Sequence, residues 1–276
     1  MSSGNFLAKI IEKKKERLAE AKRLRPLEEM RREALSLRAS VRRHAFREAL
    51  ADAGHVNVIA EFKRASPSKG EIRGRASACE TARDYERGGA AAVSVLTEED
   101  FFRGSLQDLA EVKGSVRLPV LRKDFILEEY QVFESAAAGA DSLLLIVAAL
   151  DDATLARLRT LAEEELGVDA LVEVHTAEEL KRASDAGARI VGVNNRDLHT
   201  FEVSLETSVE LAALAPQGAL LVSESGIHDA EDIRRLRACG YSAFLVGETL
   251  MRAARPADAL RSLNGLLRGG LAIEGD

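Results

Sequence analysis

A chain of 276 residues, 46% of them hydrophobic, can bury one large α/β core or two small ones. Its longest apolar run, Ser142 to Leu150, is far shorter than the ~20 residues a membrane span requires, and its lysine-rich start is unlike a secretory leader, so a cytoplasmic protein without membrane contact is expected. The net charge of -6 is unevenly spread, with 14 Lys and Arg against 6 Asp and Glu in residues 1–47, but no recognition motif or aromatic-rich strand accompanies that basic stretch, which argues against nucleic acid.

The chain opens on residues 1–50. Here the basic residues from Lys13 to Arg43 alternate with Leu7, Ile10, Ile11, Leu18, Ala21 and Leu24 at helical spacing, as on the solvated face of an amphipathic helix. Pro26 should divide the segment into one or two helices. We expect this segment to be a helical extension that caps the remainder of the chain rather than a domain that folds by itself.

From Val58 onward, short β-branched or leucine-rich runs alternate with amphipathic stretches, eight of each. The runs are Val58 to Lys63, Ala91 to Thr97, Pro119 to Phe125, Ser142 to Ala148, Ala170 to His175, Ile190 to Asn195, Leu220 to Ser225, and Ala243 to Gly247. Their near-continuous hydrophobicity suits parallel strands covered on both faces. Gly89, Gly139, Gly187 and Gly240 each end a helical segment just ahead of an even-numbered strand, so the chain repeats every two βα units. Four such doublets predict a (β/α)8 TIM barrel over residues 58–270, in one domain spanning 1–276. An open doubly wound sheet is the alternative, but no GxGxxG turn follows the first strand.

Such barrels place chemistry at the C-terminal ends of their strands. Glu61 and Lys63 end the first strand on one face, as Lys123 and Phe125 do the third; Glu173 ends the fifth, Asn194 and Arg196 the sixth, and Glu224 and Ser225 the seventh. Any one barrel-mouth Lys beside a Glu can be an ordinary ion pair. Two lysines and three glutamates aimed at one mouth would each cost several kcal/mol of desolvation if unpaired, and such clusters shift pKa values for acid and base chemistry. Gly226 and Gly247 follow the last two strands, where this fold commonly binds phosphate through backbone N–H groups. The first loop, Ser66 to Gly70, adds hydroxyls and Lys69. Cys79 and Cys239 are far apart and without CxxC or Cys/His spacing, so neither a disulfide nor a metal site is expected.

Eight stretches at these strand ends carry a resemblance: IAEFKRASPSKG from Ile59, VLTEEDFFRGS from Val95, PVLRKDFI from Pro119, LLLIVAAL from Leu143, LVEVHT from Leu171, GVNNRDL from Gly192, VSESGI from Val222 and FLVGETLM from Phe244. In this order and over nearly the whole chain they resemble the indole-3-glycerol-phosphate synthase family. The resemblance implies a carboxy-lyase of tryptophan biosynthesis that needs no cofactor and no metal. It would close the indole ring of 1-(2-carboxyphenylamino)-1-deoxyribulose 5-phosphate with loss of CO2 and water.

It further implies Lys123 as general acid on the ketone oxygen, Glu173 as general base in the later step, and Lys63 on the substrate carboxylate with a share in proton transfer. Glu61 would orient the lysines, Asn194 would bond the departing oxygen, and Ser225 would lie near the sugar hydroxyls. Ser66, Gly226, Gly247 and the Glu248 backbone would hold phosphate, while Pro67, Phe102, Phe125 and Leu144 would sandwich the aromatic ring, with Arg196 and Glu224 lining the ring and sugar. Ordinary barrel packing explains Leu144 equally well. The chain has no tryptophan, so any tryptophan contact in the family must be made here by another residue. The partner implied is an anionic sugar phosphate, and the protein is expected to act as a monomer, with weak association with other tryptophan-pathway enzymes left open.

Two rivals stand beside this reading. A phosphoribosylanthranilate isomerase-like barrel would use a cysteine base on the first strand and an aspartate acid on the sixth, whereas the first strand here ends in Glu61 and Lys63. A non-catalytic barrel binding phosphorylated metabolites would have no need of the full acid, base and anchor set.

Overall fold

The computed structural model describes residues 6–197 and 200–265. Residues 1–5 of the expected extension and 266–270 of the expected barrel range lie outside the described residues.

Three helices precede the first strand: α1 (Phe6–Leu24), α2 (Leu27–Arg38) and α3 (Ala45–Leu50). The α1–α2 break falls at Pro26, which caps α2 with φ -61 and ψ 150 and bars the helical region to Arg25 before it. Helix α3 exceeds the one or two helices expected, since six residues are too few to show a periodic apolar stripe. Its Phe46 and Leu50 are completely buried against Ile59, Ala92 and Leu171, and plug the end of the barrel where the strands begin.

The solvated basic face expected of this segment needs correction at two positions. Lys14 is buried and pairs with buried Asp124 at 2.7 Å. Arg38 is buried as well, where its guanidinium donates to the carbonyls of Leu166 and Gly167 at 3.0 and 2.9 Å, at a helix end where carbonyls lack intrahelical partners. Conversely, Leu24 is 81% exposed and lies off the buried stripe.

Eight parallel strands follow: β1 (Asn57–Phe62), β2 (Ala92–Leu96), β3 (Val120–Lys123), β4 (Ser142–Ile146), β5 (Asp169–Val174), β6 (Ile190–Asn194), β7 (Leu220–Glu224) and β8 (Ala243–Val246). Each lies within two residues of its expected bounds. They pair in sequence order, and β1 pairs with both β2 and β8, through Ile59↔Ala92 and Ile59↔Leu245. That closure rules out the open sheet. The helices α4 (Ala78–Gly88), α5 (Leu106–Ser115), α6 (Glu129–Ala137), α7 (Asp152–Thr160), α8 (Ala177–Asp185), α9 (Glu206–Ala212) and α10 (Ala230–Ala238) fill the crossovers, and α11 (Glu248–Arg252) and α12 (Pro256–Leu263) follow β8. Gly89, Gly139, Gly187 and Gly240, the residues of the doublet repeat, adopt φ between 76 and 100°, a conformation that lets a helix end and the chain re-enter the sheet at little steric cost.

Side-chain alternation sorts the core into two shells. Val58, Ala60 and Phe62 point outward to the helices, whereas Ile59, Leu121, Leu144, Leu171, Ile190, Val222 and Leu245 fill the barrel. Among the described residues no helix is long and apolar enough to cross a membrane.

Candidate active site

The four odd-numbered strands each carry an apolar inward residue, Ile59, Leu121, Leu171 and Val222, and two residues later on the same face each carries a charge. These are Glu61, Lys123, Glu173 and Glu224, so the apolar barrel filling ends in a charged layer at its C-terminal mouth. Glu61, Glu173 and Glu224 are all buried.

Lys123 Nζ donates to Glu173 Oε2 at 2.8 Å and lies 2.9 Å from Glu224 Oε2, while Lys63 Nζ is 2.6 Å from Glu61 Oε2. The even-numbered strands make room: a side chain at Gly192 would overlap the Glu224 carboxylate, and one at Gly247 would overlap that of Glu61. Glycine is therefore a steric condition of the charged layer.

Burial pulls the Lys123 ammonium down, but Glu173, Glu224 and Glu61 together hold it above the ordinary lysine range, so it stays protonated at neutral pH. Burial pushes Glu173 up, yet Lys123 and His175 outweigh it and keep this carboxyl below the usual glutamate range. Glu224 goes the other way. Burial, with repulsion from Glu173 and Glu61, outweighs the attraction of Lys123 and raises its pKa to about 7. Lys123 meets Glu224 at ion-pair distance without hydrogen-bond geometry, which leaves both Glu224 oxygens without a hydrogen bond among the described residues. Near neutrality Glu224 can thus take up a proton, which makes the cup less repulsive to an anion.

A cavity of about 550 Å³ opens over this layer, and every site residue expected from the sequence lines it. Asn194 Oδ1 accepts from Ser225 Oγ at 2.9 Å and from the Arg196 N–H at 3.0 Å, which ties the ends of β6 and β7 together. Ser225 (φ 68) and Gly226 (φ 78) are successive left-handed residues, and a side chain at Gly226 would also strike Val203. Ser66, Gly226, Gly247 and Glu248 come from the loops after β1, β7 and β8, with Glu248 opening α11. Lys69 Nζ lies 3.9 Å from Glu248 Oε1 and adds a cation to this side. Pro67, Phe102, Phe125 and Leu144 supply apolar wall, and the Arg196 guanidinium is anchored on the Phe201 carbonyl at 3.2 Å.

The sequence did not point to Phe6, Ile10 or Phe201 as site residues, yet they also line the cavity. Phe6 stands edge-on to Phe101 and Phe201, with ring centroids 5.3 and 5.5 Å away. Helix α1 thus brings an aromatic side chain to the mouth, and it is held there by Lys14 on Asp124 and by a two-armed Arg17–Asp100 pair at 2.6 and 2.7 Å. The amphipathic pattern announced a helix there but carried no signal for which of its residues reach the cavity.

The profile of the family described as indole-3-glycerol phosphate synthase matches residues 7–263. The chain is 54% identical to the indole-3-glycerol phosphate synthase of Koribacter versatilis over 223 residues, covering 80% of this chain and 85% of that protein. It is 46% identical to the one from Carboxydothermus hydrogenoformans over 268 residues, covering 94% and 99%. Among solved structures, 3-hexulose-6-phosphate synthase from Salmonella typhimurium superposes with a TM-score of 0.63 at 15% identity, covering 77% of this chain and 98% of that one, a likeness of fold alone.

Proposed function

The chain belongs to the indole-3-glycerol phosphate synthase family and acts in tryptophan biosynthesis, and from that premise we propose how its barrel mouth carries out the reaction. The substrate is the anionic 1-(2-carboxyphenylamino)-1-deoxyribulose 5-phosphate, its phosphate on Ser66, Gly226, Gly247 and the Glu248 backbone, and its ring among Pro67, Phe102, Phe125 and Leu144. The ring carbon that bears the carboxylate attacks the ketone carbon while Lys123 gives the ketone oxygen its proton. CO2 then leaves, and its bonding electrons restore the aromatic ring. The new hydroxyl departs as water with a further proton supplied by the lysines, and Glu173 takes the proton whose loss completes the indole. With one proton taken up from solvent to restore the lysines, since two are given and one is returned through Glu173, the products balance as indole-3-glycerol phosphate, CO2 and water, which makes the enzyme a carboxy-lyase.

Lys63 anchors the substrate carboxylate until it is expelled and shares proton transfer; Glu61 holds Lys63, Asn194 bonds the departing oxygen, and Ser225, Arg196 and Glu224 face the sugar. The observation that carries this reading is Lys123, a part-buried ammonium clamped between two carboxylates in the cavity that also holds Lys63. A protonated amine in a water-poor mouth stabilises negative charge as it develops on an oxygen, more strongly than it would in bulk water. The enzyme is read as a monomer that works in the cytoplasm.

Turnover of the carboxyphenylamino sugar phosphate tests the proposal. Indole product and CO2 formed in equal amounts are expected. Consumption of a phosphoribosyl-anthranilate without CO2 release would point to the isomerase instead, and binding without turnover to an idle barrel.

A further inference from the structure

Two residues beyond Glu173, where β5 gives way to α8, His175 is held from both sides. Thr176 caps α8 by accepting the Glu179 N–H at 3.2 Å. A glutamate at Glu179's position commonly reaches back to the N–H of the capping residue. Here it reaches one residue further: Glu179 Oε2 accepts the His175 backbone N–H at 2.7 Å and lies 3.2 Å from the ring's Nδ1. That pair of contacts on one oxygen fixes the ring's orientation and puts a proton on Nδ1.

The opposite nitrogen is thereby aimed at the site. His175 Nε2 lies 3.5 Å from Glu173 Oε1, and it is buried with no hydrogen-bond partner among the described residues. Glu173 presents its other oxygen, Oε2, to Lys123. A neutral ring with its proton on Nδ1 would point a lone pair at an ionised carboxylate, whereas a protonated ring points an N–H. The charged groups around the ring favour the second state. Burial works against the cation, but Glu179 from α8, Glu173 on the same strand and Glu224 from β7 outweigh it and hold the imidazole above its ordinary range, with Lys123 of β3 on the far side of Glu173.

We propose that His175 is a positioning residue for the reaction: clamped by Glu179, it presents Nε2–H to Glu173 Oε1 and fixes that carboxylate, ionised, with Oε2 turned to Lys123 and the cavity. The inference rests on Glu173 being the base.

Steady-state kinetics across pH for His175→Ala, His175→Gln and Glu173→Gln, with 15N NMR of His175 in the unaltered enzyme, test it. His175→Ala should lose about tenfold in kcat with KM changed by less than about twofold, and the acid limb of its kcat profile should move to higher pH, because Glu173 loses a neighbouring cation. His175→Gln, whose amide N–H reaches toward Oε1 without a charge, should recover part of kcat while its acid limb stays displaced. In the unaltered enzyme the His175 ring should titrate above an ordinary histidine, and in Glu173→Gln it should titrate lower. A neutral His175 ring at pH 6, or a wild-type kcat and acid limb in both His175 variants, would overturn the proposal. If Glu173→Gln turns over at the wild-type rate, it is the base assignment that fails, and the NMR titration still reads the clamp by itself.

Discussion

Lys123→Ala is expected to lower kcat by about a hundredfold or more while the barrel still folds and still binds the ring-closed product, the loss expected when a positioned general acid is removed. The argument is one of charge and place. No other ammonium among the described residues approaches both Glu173 and Glu224, so no neighbour can assume the role. Lys123→Arg should not rescue turnover, because a planar guanidinium neither fits the space between the two carboxylates nor releases its proton. The same substitution has a signature in stability. Without Lys123, Glu224 loses the one attraction that offsets its burial and its repulsion by Glu173 and Glu61, and is driven further above its ordinary range. A carboxyl raised in the folded state costs stability as pH climbs above its unfolded pKa, so Lys123→Ala should melt progressively lower than wild type between about pH 5 and pH 8. Turnover within about twofold of wild type would remove Lys123 from the chemistry.

Glu173→Gln is expected to cost a similar factor, about a hundredfold in kcat with KM little changed, since the amide keeps the shape and a contact to Lys123 but cannot take a proton. Its pH dependence separates the base role from a packing role. The wild-type carboxyl sits below the usual glutamate range, so activity should fall only at distinctly acid pH as Glu173 becomes protonated. In Glu173→Gln the residual activity should lack that acid limb. A low rate that keeps the wild-type acid limb would assign the limb, and the base, to another group.

Much of this site was legible because a barrel strand is a ruler. Once the eight apolar runs are in register with parallel strands, a charge at the end of a run falls on a known face of a known mouth, which is how Glu61, Lys123, Glu173 and Glu224 can be read together. The specific partnerships were not legible. That Lys123 touches Glu224 as closely as Glu173, while Lys63 belongs to Glu61, depends on strand stagger and on the space left by Gly192 and Gly247, and no spacing in the sequence encodes it. The N-terminal segment hid more. Lys14 falls on the inward stripe between Ile10 and Leu18 while Lys13 lies off it, but the pattern names neither Asp124 as the partner of Lys14 nor Phe6 as a residue that reaches the cavity. His175 stayed silent for a related reason: its significance lies in Glu179 reaching one residue past the usual cap, a matter of geometry rather than residue type.

A crystal structure with bound indole-3-glycerol phosphate would show whether one cup holds all these groups to work. The phosphate should lie on Gly226 and Gly247, the ring between Phe102 and Phe125, and the indole carbon that began as the ketone closer to Lys123 Nζ than to Lys63 Nζ, with Glu173 on the same side. A product bound outside the cavity, or seated with its phosphate against Lys123 and its ring carbons away from Glu173, would contradict the mechanism.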